Sequence, residues 1–129
     1  MLGQLEGDGR VVVADFEAGL GTLSRMKPKQ LDVLLVIAEP TAKSLEIARR
    51  ALDMIRERSL GTGLVIANRV AGEEDRTLVE RAFPTGSVTV VPDDPAIRAA
   101  DAEGVAPFDL APGAPAVHAL RTLAESLVA

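Results

Sequence analysis

Four short apolar runs, separated by longer mixed segments, set the strongest limit on how this chain can fold. The runs are Val11–Asp15, Val33–Glu39, Leu64–Asn68 and Val88–Val91. Continuous apolar runs in alternation with helical segments are typical of βαβ units, in which a parallel strand is buried on both faces. The sequence therefore predicts an α/β fold, with a mostly parallel sheet and helices on its two sides.

Amphipathic or capped segments predict five helices around these strands. The clearest has Thr41 as its N-cap and runs to about Arg58, because its apolar residues recur on one face. Others are expected at about Leu20–Met26 and Glu73–Phe83, and between Asp94 and Gly104. The closing helix is expected over about Ala116 to Val128, with an inward face of Val117, Leu120, Leu123, Ala124 and Leu127 and with the only histidine, His118, on the solvent face.

Composition excludes several kinds of protein. A chain of 129 residues with 47% hydrophobic content suits a single domain over 1–129, in which we expect residues 1–9 to be disordered. A net charge of -5 and 2% aromatic residues argue against nucleic acid as a partner. No run approaches the roughly 18 apolar residues of a membrane helix. The chain has no cysteine and no basic-then-apolar leader pattern, so we expect a cytoplasmic protein.

Each apolar run ends at a polar residue: Asp15, Glu39, Asn68 and the pair Asp93 and Asp94. The carboxyl ends of parallel strands lie along one edge of a sheet, so these residues should converge on one crevice. An acid there can hold Mg²⁺ through water, and an asparagine can read the edge of a base. The pattern favours a nucleotide site. The alternative, that the acids only cap helices or open turns, stays open, above all for Asp94.

Four motifs occur in a fixed order over nearly the whole chain. They are Asp15-Phe16-Glu17-Ala18-Gly19, Asp32 to Pro40, Val65 to Arg69, and Val91 to Pro95 continued by Ala100-Asp101 and Gly104 to Pro107. In order and spacing they resemble the C-terminal half of the CooC and MinD/ParA branch of P-loop ATPases, and the first motif is similar to that of the CooC-like nickel-insertion ATPases. The resemblance implies a Rossmann-like three-layer fold that binds ATP and Mg²⁺.

The resemblance also implies roles on the phosphate side of such a site. Asp15 matches the aspartate that holds Mg²⁺ through water, and Gly19 matches the switch glycine that faces the γ-phosphate. Glu17 would belong to the same mobile switch. In the family, this switch moves with the state of the bound nucleotide.

On the base side, the resemblance implies a second group of residues. Asn68, with Arg69 beside it, matches the asparagine that reads adenine. Pro92, Asp93 and Asp94 match the loop that borders the base and the ribose.

The P-loop motif G-x-x-x-x-G-K-[ST] does not occur in this sequence. The pair Lys43-Ser44 follows a strand, but Ile37 and Ala42 stand where the loop needs glycines, so we reject it. The family's first switch does not occur either. We therefore expect a truncated or degenerate relative without a competent triphosphate site of its own, which by itself is inactive and binds neither ATP nor Mg²⁺ tightly.

Two other functions stay open. One is a regulatory module that docks on a P-loop ATPase partner, and the other is a receiver-like signalling domain, although Asn68 stands where a receiver needs a phosphorylatable Asp. In the family the P-loop strand lies between the strands that correspond to Val11–Asp15 and Val33–Glu39. Those two runs should therefore either pair directly or leave an apolar edge open. An open edge predicts a homo-oligomer, or association with a P-loop ATPase partner.

Overall fold

The computed structural model describes residues 9–17, 19–84 and 88–128. Within them lie three strands, β1 (Val33–Ala38), β2 (Thr62–Val70) and β3 (Val88–Pro92). The helices of the described part are α1 (Leu20–Arg25), α2 (Ala42–Glu57), α3 (Gly72–Ala82), α4 (Pro95–Glu103), α5 (Pro107–Leu110) and α6 (Pro115–Val128). The strands form a parallel sheet in the order β1-β2-β3, which confirms the predicted fold class. In these ranges, no helix is both long and apolar enough to cross a membrane.

Helices cover both faces of this sheet. On one face, side chains of α2 and α3, among them Leu45 and Val79, pack against Val65 and Ala67 of β2. On the other face, Ile66 and Val91 pack against Ala116 of α6. The sheet is therefore the middle of three layers at β2 and β3, whereas Leu35 and Ile37 of β1 are exposed on the face that carries α6.

The segment that joins β1 to α2 confirms the predicted N-cap. The Thr41 hydroxyl accepts a hydrogen bond from the Ser44 backbone N–H at 3.2 Å, and the Ser44 hydroxyl accepts one from the Glu39 N–H at 2.9 Å. Ser44 lies inside the first turn of α2. These bonds fix the position of Glu39 at the carboxyl end of β1.

The prediction of a strand at Val11–Asp15 is wrong. Residues 11–17 have no regular structure, and Val11 and Val13 are 73% and 89% exposed. A strand exists only when a neighbour satisfies its backbone N–H and C=O groups, and apolar content alone does not supply that neighbour. The direct pairing of this run with β1 also does not occur, so β1 is an edge strand that pairs with β2 alone in the described part of the chain.

The inward face predicted for α6 is partly wrong. Val117 is buried and Leu123 packs on the sheet, but Leu120 and Leu127 are 45% and 38% exposed and Ala124 is exposed too. The helix meets the sheet mainly at β3 and through its first turns, and in the described ranges no strand covers the rest of it. His118 is exposed, as predicted.

Two further points separate prediction from structure. The helix α5 was not predicted, because four residues are too few to show a period. The expected disorder of residues 1–9 concerns a segment that, apart from Gly9, lies outside the described residues. The other predicted helices and strands agree with the structure to within a few residues.

Candidate functional site

A cleft of about 440 Å³ opens at the carboxyl edge of the sheet, on the face covered by α6. Asn68 and Arg69 near the end of β2, and Pro92, Asp93 and Asp94 at the end of β3 and just after it, all line this cleft. The structure thus brings together the five residues that the sequence placed on the base side of a nucleotide site. Their role in binding stays a prediction.

Apolar side chains form most of the cleft wall. They are Ile37 of β1, Ile66 of β2, Val91 of β3, Ile97 of α4, Pro107 of α5 and Leu120 of α6. An apolar wall with a few polar groups at one edge is the usual composition of a small-molecule site. Sequence analysis missed the residues from α4, α5 and α6, because only the fold brings these helices to the sheet edge.

The Asn68 side chain is the polar group best placed to read a ligand. It is half-buried in the cleft, and no hydrogen bond joins its amide to any other residue of the described ranges. A primary amide offers two donor hydrogens and one acceptor oxygen in a single plane. Asn68 can therefore both donate to and accept from the edge of a flat heterocycle.

Charged side chains join the ends of the three strands beside this cleft. Arg69 Nη1 lies 3.3 Å from Glu39 Oε1, and Arg69 Nε lies 4.0 Å from Asp93 Oδ1. Arg98 of α4 approaches the same oxygen of Asp93, with Nη1 at 3.3 Å. Exposed pairs of this kind contribute about 1 kcal/mol at most to folding. Their effect is therefore on the geometry of the edge more than on its stability.

Asp94 is a buried structural carboxylate. Its Oδ1 accepts a hydrogen bond from the Ala96 N–H at 3.0 Å, which confirms the reading of Asp94 as the N-cap of α4. Its Oδ2 accepts a second bond from the Ala116 N–H of α6, also at 3.0 Å. The bond from Ala116, and then that from Ala96, lowers the pKa of the Asp94 carboxyl below its ordinary value. One side chain thus joins the first turns of two helices at the base of the cleft.

This geometry predicts how pH affects stability. A carboxyl with a lower pKa in the folded state stabilises the protein above its unfolded-state pKa, and that contribution is lost as pH falls through the folded-state value. Asp94→Asn would place an amide N–H against the buried Ala116 N–H. We expect this variant to unfold at lower urea concentration at pH 7. As pH falls below about 4, its stability should fall less than that of the parent, as urea titrations at several pH values would measure.

The residues predicted for the phosphate side lie elsewhere in the structure. Asp15 and Glu17 are exposed in the irregular segment 9–17, and Gly19 is the N-cap of α1 with a φ of 122°. None of the three lines the cleft. No group of three or more His, Cys, Asp or Glu side chains in the described ranges is arranged to hold a metal ion. Their phosphate and metal roles remain predictions.

Comparison with known proteins finds no matching family model. The chain is 32% identical over 102 residues to the carbon monoxide dehydrogenase accessory protein CooC of Rhodospirillum rubrum, a match that covers 78% of this chain and 39% of CooC. It is 28% identical over 123 residues to an uncharacterized ATP-binding protein of Methanocaldococcus jannaschii, covering 92% of this chain and 46% of that protein.

A second uncharacterized ATP-binding protein of Methanocaldococcus jannaschii is 34% identical over 68 residues, which cover 53% of this chain and 26% of the relative. The chain thus spans less than half the length of each of these curated relatives. The three-stranded parallel sheet with its flanking helices is consistent with part of a Rossmann-like P-loop NTPase fold. By sequence and by fold class, this chain is related to the CooC-like P-loop ATPases.

Proposed function

We propose that this chain is the base-binding half of a CooC-like ATP-binding domain. The observation that carries the proposal is the cleft at the carboxyl edge of the sheet, where the Asn68 amide lies among apolar walls and has no partner among the described residues. The two relatives that are described as ATP-binding proteins, one of which matches 92% of the chain, support the same function.

Adenine fits the chemistry of this cleft. Its flat faces suit the side chains of Ile66, Ile97 and Pro107. Its amine and ring nitrogen, which lie side by side, match the acceptor and donor of the Asn68 amide. The Pro92–Asp94 segment would border the base and ribose, and the Asp94 carboxylate would hold that segment in place from behind.

The phosphate side of the site would be completed by a segment that carries a P-loop, whichever polypeptide supplies it. Backbone N–H groups and a lysine must surround a triphosphate, and this sequence contains no such motif. Asp15 fits the role of a Mg²⁺ ligand, because its carboxylate is exposed and Mg²⁺ commonly takes only one or two protein carboxylates beside phosphate oxygens. When bound, Mg²⁺ would neutralise charge on the phosphates, and Glu17 and Gly19 would form the switch beside them.

The edge of β1 is the surface on which that segment would dock. Leu35 and Ile37 on this strand are 41% and 61% exposed, and the strand carries neither a charge nor a proline to block pairing. Leu120, at 45% exposed, continues the apolar surface across the cleft. A parallel strand added at β1 would satisfy the open backbone groups and cover these side chains.

The same edge favours a second candidate function, a regulatory module that docks on a separate P-loop ATPase. The two functions differ in whether Asn68 contributes to nucleotide binding. A docking module would associate through β1 without using the cleft.

Titration of the chain with adenosine, followed by the NMR signals of the protein, tests the proposed function. We expect weak binding that shifts the Asn68 side-chain amide and the backbone amides of Asp93 and Asp94. Asn68→Ala should weaken this binding about tenfold, because it removes paired hydrogen bonds worth about 1.4 kcal/mol. His118→Ala, on the exposed face of α6, is the control and should bind as the parent does. Equal affinity of the parent and Asn68→Ala would contradict a base-binding role.

A further inference from the structure

The strand β2 contains an irregularity just where it meets the cleft. Ala67 pairs with Val90 and Val70 pairs with Pro92, so β2 advances three residues while β3 advances two. The extra residue makes a β-bulge between Ala67 and Val70. Arg69 lies in this bulge with a φ of 60°, in the left-handed region that a non-glycine residue rarely adopts.

The bulge changes which side chains face the cleft. Side chains alternate between the two faces of a regular strand, so residues 68 and 70 would both point to the same face. In this structure Val70 is 4% exposed and packs in the core between the sheet and α2 and α3, whereas Asn68 lines the cleft on the opposite face. The extra residue therefore keeps Asn68 in the cleft and returns Val70 to the core.

The side chain of Arg69 connects this bulge to both neighbouring strands. It lies 3.3 Å from Glu39 at the end of β1 and 4.0 Å from Asp93 at the end of β3. The Asp93 backbone N–H also donates to the Val70 carbonyl at 3.0 Å, directly after the bulge. The left-handed conformation of Arg69 is thus held between contacts on its two sides.

We propose that Arg69 is a positioning residue for base recognition. Held by Glu39 and Asp93, it keeps the β2 bulge in the conformation that presents the Asn68 amide to a base. The inference rests on the proposed function, and it assigns Arg69 an action through Asn68 in place of a direct contact with nucleotide. Without these contacts the bulge would sample other conformations, and the binding-competent fraction of the protein would fall.

Adenosine affinity, measured by NMR titration, tests this role in two variants. Arg69→Gly removes the contacts but tolerates the positive φ, and Glu39→Ala removes one contact at a residue that does not line the cleft. We expect each variant to raise the dissociation constant about threefold or more. Their urea midpoints should change little, because the broken pairs are exposed. Adenosine is uncharged, so a loss of affinity in these variants cannot come from weaker attraction of an anion.

Arg50→Ala is the matched control. It removes an exposed arginine with an ion pair to Glu46 on α2, which packs on the sheet face opposite the cleft, and should bind adenosine as the parent does. Parent-like affinity in Arg69→Gly and Glu39→Ala would overturn the positioning role. Losses of adenosine affinity that are fully explained by losses of stability would also overturn the positioning role. If the parent itself shows no shift at Asn68, both this inference and the proposed function fail. If the parent binds adenosine and both variants bind it with the same affinity, this inference alone fails.

Discussion

Gly61→Ala is expected to lower the free energy of unfolding by about 3 kcal/mol or more. Gly61 directly precedes β2 and has a φ of 153°, a conformation that L side chains rarely adopt. A Cβ at this position would overlap the Leu31 carbonyl oxygen and lie 2.9 Å from Leu34 Cδ1. The neighbouring backbone cannot easily move away, because the Asp32 carbonyl accepts a hydrogen bond from Thr62 N–H at 3.0 Å. Urea unfolding followed by circular dichroism measures the loss.

The loss expected for Gly61→Ala has two causes, the unfavourable backbone conformation and the overlap of the added Cβ with its neighbours. The variant Gly72→Ala separates them. Gly72 also has a positive φ, 69°, but no atom lies within 4 Å of the Cβ it would gain. This variant should therefore carry only the conformational cost, about 1 kcal/mol. Equal losses in the two glycine variants would mean that the contacts around Gly61 do not constrain the start of β2 in the way the structure indicates.

Ile37→Asp is expected to weaken association with a P-loop-bearing segment at least about 100-fold. Docking would bury a side chain that is now 61% exposed, and burial of an isoleucine contributes about 1.5–3 kcal/mol. A buried aspartate would add the cost of desolvating a charge, so the total exceeds the roughly 2.7 kcal/mol of a 100-fold change. Size exclusion coupled to light scattering, with the P-loop-bearing half of a CooC-like relative as the partner, measures the association.

Ile47→Asp is the matched control for this experiment. Ile47 lies on α2 and is 42% exposed, so the variant gains the same charge on a helix and not on the β1 strand itself. We expect its association to equal that of the parent. If the partner is instead a second copy of this chain, Ile37→Asp should remove the concentration-dependent dimer. Unchanged association in Ile37→Asp would show that the β1 edge is not the docking surface.

The parts of the fold that sequence predicts well are those that local chemistry determines. The helix α2 follows from its period and from the Thr41 cap, and both lie within one stretch of chain. The strand predicted over Val11–Asp15 does not form, although its residues are as apolar as those of the observed strands. Strand formation depends on a neighbour that is distant in sequence. The prediction that Leu120 and Leu127 face inward was wrong for a related reason, because the strands that α6 can pack on are distant from it in sequence.

The sequence likewise predicts some features of the candidate site and not others. The meeting of Asn68, Asp93 and Asp94 at one edge follows from the geometry of parallel strands. The second hydrogen bond of Asp94 comes from Ala116, 22 residues away, and no local pattern indicates it. The bulge at Arg69 is equally invisible in the sequence, because an extra residue is defined only by the register between β2 and β3.

Calorimetric titration with ATP and Mg²⁺ tests most directly whether this chain is one half of a nucleotide site. For the chain alone, we predict no binding tighter than that of adenosine, because phosphates gain no lysine or backbone nest from it. Together with the P-loop-bearing half of a CooC-like relative, the chain should show micromolar binding that Asn68→Ala weakens. Micromolar ATP affinity of the chain alone, abolished by Asp15→Ala, would contradict this division of the site.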